Sequence, residues 1–255
     1  MPTMRLIVFL LVYISAFGCS VGNRADSEHI HLFTTGPIRV DVSSFAGDVV
    51  LKEVDGYVGT SVEVRRTTAT PMNLIRGSSW IQCSAYINHH PLGEEVVVKV
   101  IDTERLFRKK HAQIIVTTSG FTGIQIDTSK GNIDATCGSI PLNIKTSDGD
   151  VFVAITEPMT KNVAVTNKRG DIYLNFLPNS SGILDATSLG GESILNATVG
   201  HSVLLAGTTK EHLLAIVNDG DNTFSLNTVD GNVHVTVTEH PENGWSWSLD
   251  DWLPF

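Results

Sequence analysis

One phrase recurs through residues 119–235: a short alternating strand, a turn ending in glycine, an acid or amide, and a second strand. Its clearest copies are Gly131-Asn132-Ile133, Gly149-Asp150-Val151, Gly170-Asp171-Ile172 and Gly231-Asn232-Val233. The glycines at 131, 149, 170, 191, 220 and 231 are separated by 18, 21, 21, 29 and 11 residues. A unit of about 20 residues, with a half-unit of about 10, fits all but the fourth. The exception holds an extra passage, residues 200–207. Each unit is too small to bury its own apolar face, so units must stack and share a core. Glycine at a fixed turn position permits positive φ, and the neighbouring Asp or Asn can hydrogen-bond the turn backbone. No period-3.6 segment of helical length interrupts the region, which excludes alternating β-α units.

The expected fold is therefore all-β: a single-stranded parallel β-solenoid with coils of about 20 residues. A β-sandwich is the alternative, because strands at 8–12-residue spacing also suit sandwiches. The pattern extends upstream. Ile38-Arg-Val-Asp-Val42 alternates at period two, Gly47-Asp48 turns, and Val49-Val-Leu51 follows. The solenoid domain is expected over residues 30–243, broken by an irregular insertion at 67–111 that lies over the first coils. Within it, residues 95–101 read as a strand and 80–87 as a weaker one. The structural turns are assigned to Gly47, Gly131, Gly149, Gly170, Gly191, Gly220 and Gly231.

The N-terminus reads as an export signal over residues 1–18. Arg5 gives a positive start, residues 6–14 are an apolar run too short to span a bilayer, and Ser15-Ala16-Phe17-Gly18 supplies small residues for cleavage. Ala16-Phe17-Gly18-Cys19 resembles a bacterial lipobox, although the usual Leu is Ala16 here. The resemblance implies lipidation of Cys19, a polar tether at 19–29, and a lipid-anchored place in the cell envelope. In a Gram-negative host that place is the outer membrane or the periplasmic face. Cys83 and Cys137 remain, either paired in an oxidising compartment or buried as free thiols.

Charge narrows the partners. The chain carries 18 Lys+Arg against 27 Asp+Glu, a net −9. Nucleic acid phosphate would be repelled, so it is not an expected partner. The turn acids Asp148, Asp150, Asp171, Asp219, Asp221 and Asp230 raise two chemical readings: oxygen ligands for Ca²⁺, and the acid and base of a polysaccharide-cleaving β-helix enzyme. Asp and Asn alternate at the repeated position, which suits a turn better than catalysis. Neither catalytic residue, cofactor nor metal is therefore expected. Arg169-Gly170-Asp171 matches an integrin-binding tripeptide, but the repeat already accounts for two of its members. His89-His90 and His29-x-His31 lack a third ligand at a recognisable spacing. Trp245, Trp247, Trp252 and Phe255 crowd residues 244–255, which read as a cap for an open solenoid end or as a binding surface for sugar or protein.

Val40-Asp-Val-Ser-Ser-Phe-Ala-Gly-Asp-Val-Val-Leu51 and the Thr-Ser-x-Gly-Asn/Asp-Ile/Val units of residues 126–151 resemble the bacterial DUF4097 adhesin-type proteins over roughly residues 36–240. The resemblance implies an envelope-associated β-solenoid and, from the family's name, adhesion. It defines no catalytic residues. The leading expectation is a non-enzymatic interaction scaffold for an envelope protein or glycan. The alternative is an enzyme acting on polysaccharide through the turn-edge aspartates.

Overall fold

The computed structural model describes residues 25–68, 81–91, 93–102, 110–197, 200 and 202–244. The export signal, Cys19 and the four C-terminal aromatics lie outside the described residues. The strands are β1 (Ala25–Leu32), β2 (Ile38–Ser44), β3 (Val49–Glu53), β4 (Thr60–Thr68), β5 (Ile81–His90), β6 (Gly93–Asp102) and β7 (Lys110–Thr118). They continue as β8 (Phe121–Thr128), β9 (Ile133–Cys137), β10 (Leu142–Thr146), β11 (Val151–Ile155), β12 (Val163–Arg169) and β13 (Ile172–Phe176). The last six are β14 (Gly182–Ser188), β15 (Ser193–Ala197), β16 (Ser202–Leu204), β17 (His212–Val217), β18 (Thr223–Asp230) and β19 (Val233–Val237).

These strands form two facing sheets. One runs β1-β4-β7-β3-β9-β11-β13-β19-β15, the other β16-β17-β14-β18-β12-β10-β8-β2-β6-β5. Each repeat places one strand in each sheet with the glycine turn between them. Neighbouring coils pair in parallel and in register, as a solenoid requires and a chain-order sandwich does not. The register gathers like positions into columns. Ile133, Val151, Ile172 and Val233 stack, as do Ile124, Leu142, Val163 and Phe224. Strict alternation sends these columns inward, where all eight are buried.

The coils do not stack in chain order, which differs from a simple unit-on-unit solenoid. The β2–β3 coil lies between β6/β7 and the β8–β9 coil. At the other end the last coil, β18–β19, slots between β12–β13 and β14–β15. The 29-residue gap records this detour. After β15 the chain builds β16 and β17, which pair antiparallel beyond β14, then crosses back to fill the slot.

The segment expected to be irregular at 67–111 is instead continuous with the sheets where it is described. β5 and β6 form an antiparallel hairpin, β6 pairs in parallel with β2, and β7 runs between β4 and β3. Alternation is hidden in β6 because Val96, Val97 and Val98 are all buried. Cys83 and Cys137 are both free. Cys83 sits in the edge strand β5, and Cys137 lies in the opposite sheet, opposite strands three places inward. At about 4.8 Å per strand this exceeds the reach of a disulfide. Burial pushes the Cys83 thiol up to about 11 and the Cys137 thiol up to about 12. A thiol reagent at neutral pH is therefore expected to leave Cys137 unlabelled in the native protein and to label it once denatured. Labelling of native Cys137 at the denatured rate would contradict this.

Candidate functional site: the turn ladder and the outer ring column

The repeated turn acids form one continuous hydrogen-bond ladder along the solenoid edge. The Asn132 amide donates to Asp48 Oδ1 at 2.8 Å, Asp150 to Asn132 Oδ1 at 2.8 Å, and Asp171 to Asp150 Oδ1 at 2.8 Å. The ladder runs on through the rearranged coil, where the Asn232 amide donates to Asp171 Oδ1 at 2.6 Å and the Glu192 amide to Asn232 Oδ1 at 3.0 Å. Each side chain thus bonds the backbone of the next rung rather than its own turn. Asp and Asn alternate freely because only an acceptor oxygen is required, and both supply one.

The glycines beside the ladder are fixed by contact, and all but Gly191 by positive φ as well. A Cβ on Gly149 would lie 2.3 Å from the Gly131 carbonyl oxygen, and one on Gly170 2.3 Å from that of Gly149. On Gly231 it would lie 2.1 Å from the Gly170 oxygen. Gly47, Gly131 and Gly191 repeat the same close approach. Gly220 does not belong to this set. It packs against Ser181 and Gly182 in the crossing that leads to β18, so the 11-residue spacing is not a half-unit. Inside the turns, buried Thr128, Asn167, Thr228 and Ser188 bond turn carbonyls, among them Asn167 Nδ2 to Gly149 O at 2.8 Å and Thr228 Oγ1 to Gly170 O at 3.0 Å.

This geometry accounts for the chemical readings of the turns. Asp150 and Asp171 each accept a backbone amide, and Asp171 also accepts the Tyr173 hydroxyl at 3.0 Å. Arg169 pairs with Asp148 at 3.2 Å, so every member of the Arg-Gly-Asp tripeptide is engaged within the turn edge. Among the described residues, no three His, Cys, Asp or Glu groups converge to hold a metal ion. A cleft of about 550 Å³ at the tip of the β5–β6 hairpin is lined by Arg39, His90, Glu94, Glu95 and Thr122. Its carboxylates are paired internally: Glu95 with Arg39 at 3.2 Å and His90 at 3.3 Å, and Glu94 with the Thr35 amide at 2.8 Å.

On the outer face of the nine-stranded sheet, three rings stack across consecutive coils. Phe152 and Tyr173 lie with centroids 4.7 Å apart and planes 4° from parallel, and Tyr173 and His234 follow at 4.9 Å and 7°. All three stand three residues after a ladder glycine, a shared register that marks them in the sequence. The same position holds Asp134 and Ile194 in the flanking coils. Because the rings cover one another, the column presents ring edges outward and stiffens the sheet like other cross-strand pairs. Burial, with the bond to Asp171, pushes the Tyr173 phenol from its ordinary 10 up to about 12. The folded chain thus holds this proton more tightly than the unfolded one. That contribution is complete below pH 10 and is lost as pH rises towards 12. Alkaline absorbance titration should show one late-ionising phenol that Tyr173→Phe removes. A Tyr173→Phe titration unchanged from wild type would contradict the assignment.

The described part of the C-terminus lies against the flank of the solenoid. The 3-10 turn Pro241–Gly244 packs on β11 and β13, and Asn175 Nδ2 donates to the Pro241 carbonyl at 3.3 Å. The open end beside β15 is instead covered by the excursion that carries β16 and β17. Ser193 N donates to Lys210 O at 2.9 Å and Ser188 N to Glu211 O at 2.7 Å. Residues 245–255, which carry the aromatics of the expected end cap, lie outside the described residues.

Facing sheets, parallel coils and an inter-rung acid ladder define a two-sheet β-solenoid. The chain belongs to the DUF4097 (Toastrack) family, which matches residues 96–236. A "putative cell adhesion protein" from Clostridium sporogenes is similar in structure, with a TM-score of 0.55 at 10% identity over 85% of this chain and 100% of that one. A "putative adhesin" from Bacteroides fragilis gives 0.38 at 12% identity, covering 86% and 99% of the two chains. A "putative lipid binding protein" from Parabacteroides distasonis gives 0.30 at 11%, covering 85% and 98%. At such identities the clostridial likeness is one of fold. No curated protein matches the chain.

Proposed function

We propose that this chain is an exported, non-enzymatic scaffold of the cell envelope, anchored through a lipid on Cys19, that adheres to an envelope protein or glycan. One observation carries the non-enzymatic reading. The carboxylates that an enzyme of this architecture would use are spent as acceptors for the next rung's amides, as with Asp150 and Asp171. The adhesive reading draws support from the family and from the described name of the clostridial relative of like fold. The working surfaces are the outer faces of the two sheets and the aromatic tail of Trp245, Trp247, Trp252 and Phe255. The test is capture of envelope extracts and purified envelope glycans on the immobilised mature chain, with released reducing ends measured in parallel. Saturable capture without release is the expected result. Release of reducing ends that is lost in a folded Asp150→Asn variant would overturn the proposal in favour of an enzyme.

A further inference from the structure

The cleft at the tip of the β5–β6 hairpin opens on the outer face of the ten-stranded sheet, beside the starts of β2 and β8. Its 550 Å³ falls within the ~300–1,000 Å³ of small-molecule clefts. Asn88, Glu95, Arg39 and Gly123 form one outward row across β5, β6, β2 and β8. Two features of β8 shape the cleft. Ile38 pairs with Phe121 and Arg39 with Gly123, so Thr122 is an extra residue, exposed and aimed into the cleft. Gly123 lies inside a strand without positive φ, and an added Cβ would make only ordinary contacts, 3.7 Å to the Pro141 oxygen and 3.8 Å to Arg39 Cγ. Neither backbone nor crowding calls for glycine there. What its missing side chain leaves is open surface beside Arg39, where another molecule can approach.

The polar groups of the cleft are held in place by one another. Arg39 Nε lies 3.2 Å from Glu95 Oε1, Arg39 Nη2 donates to Gln125 Oε1 at 3.2 Å, and His90 Nε2 lies 3.3 Å from Glu95 Oε2. An ionic ligand would have to compete with these pairs. A hydroxyl both donates and accepts, so it can add to the remaining N–H groups and lone pairs while the pairs stay intact. Glu94 and Glu95 outnumber Arg39, and the Asp41 carboxyl in the next row is held above its usual range, by burial first and then by Glu95. An anionic ligand is therefore disfavoured. Tyr86 stands two residues before Asn88 on the same face of β5 and is 40% exposed, a ring on which an apolar face can pack.

We propose that this cleft binds a neutral sugar unit of a glycan, its hydroxyls bonded by Arg39, Glu95 and Thr122 and its ring packed on Tyr86. Planar, pre-oriented polar side chains beside an exposed aromatic ring match the two surfaces of a sugar, a rim of hydroxyls and a C–H face. The inference rests on the adhesive reading above and assigns a site to its glycan arm.

The test probes immobilised oligosaccharides of glucose, galactose, mannose and N-acetylglucosamine, with uronic-acid oligosaccharides beside them, using the full mature chain. Capture from envelope extracts is measured in parallel. Saturable binding to neutral and not to acidic probes is the expected result. Arg39→Lys keeps the charge but loses the planar fork, and Thr122→Arg fills the cleft from an exposed position. Each should weaken binding about tenfold. Tyr86→Ala should weaken it about fivefold, and Tyr86→Phe should not. Lys145→Ala, exposed on the same face one strand beyond β8, should bind as wild type. Neutral-glycan binding that survives both Arg39→Lys and Thr122→Arg would overturn the site and leave the adhesive reading standing. So would a preference for the uronic-acid probes, or capture of envelope protein with no oligosaccharide bound. Absence of any capture would overturn both.

Discussion

Gly170→Ala is expected to destabilise the protein by about 3–5 kcal/mol, a large share of the ~5–15 kcal/mol that holds a domain of ordinary stability. Two causes act together. The residue sits at φ +116°, where a side chain is strained, and its new Cβ would lie 2.3 Å from the Gly149 carbonyl oxygen and 2.7 Å from its carbon. That carbonyl belongs to the adjoining rung, so relief requires prising two coils apart and lengthening the ladder bond between Asp171 and Asp150. Gly56→Ala separates the causes. It has φ +74° but nothing within 4 Å of the added Cβ, and should cost about 1–2 kcal/mol. Urea unfolding of the two variants checks this. Equal losses would show that rung contact is not what fixes the ladder glycines.

Phe224→Ala should cost about 3–5 kcal/mol. Phe224 is fully buried in the last coil and packs on Phe176 of the opposite sheet, with ring centroids 5.3 Å apart. The coils on either side are already joined, so the slot cannot collapse readily around the missing ring, and the cavity persists. The loss should fall first on the C-terminal coil, seen as earlier proteolysis within residues 218–237. Phe33→Ala is the contrasting change, because Phe33 is 93% exposed, and it should stay within about 0.5 kcal/mol of wild type. A Phe224→Ala protein as stable as Phe33→Ala would contradict the placement of the last coil.

The repeat was legible because its parts are local. Alternation in Ile38–Ser44 or Val163–Arg169 and a Gly-Asp turn each report on a few neighbouring residues, and together they imply stacked strands. Coil order was not legible, because nothing within residues 223–237 distinguishes a coil that adds to the end from one that slides between its predecessors. Gly220 shows the cost: it has the right neighbours in sequence, Asp219 and Asp221, yet serves a crossing and not a ladder rung. The role of the acids was half legible. Turn bonding followed from residue type, whereas acceptance from the next rung depends on a register set by the core columns. Phe152, Tyr173 and His234 could have been found by aligning the chain on its glycines, since all three occupy one repeat position. Residues 95–101 read as a strand and form β6, and 80–87 read more weakly where β5 lies; their pairing with each other, and of β6 with β2, was not legible because register between strands is not recorded in any local period.

The side-chain oxygens of the turn Asp and Asn residues hold the rungs together. The most direct measurement is residue-level amide hydrogen exchange in Asp171→Ala beside Asp171→Asn. In the wild type, the Asn232 amide donates to Asp171 Oδ1. The alanine variant should lose protection at Asn232, with a stability loss of about 1–3 kcal/mol, because a partly buried donor is left without its acceptor. The asparagine variant keeps an acceptor oxygen and should retain most of both, as Asn132 does at the equivalent rung, where it accepts the Asp150 amide. Unchanged protection of the Asn232 amide in Asp171→Ala would contradict the ladder and reopen these aspartates as groups free for chemistry.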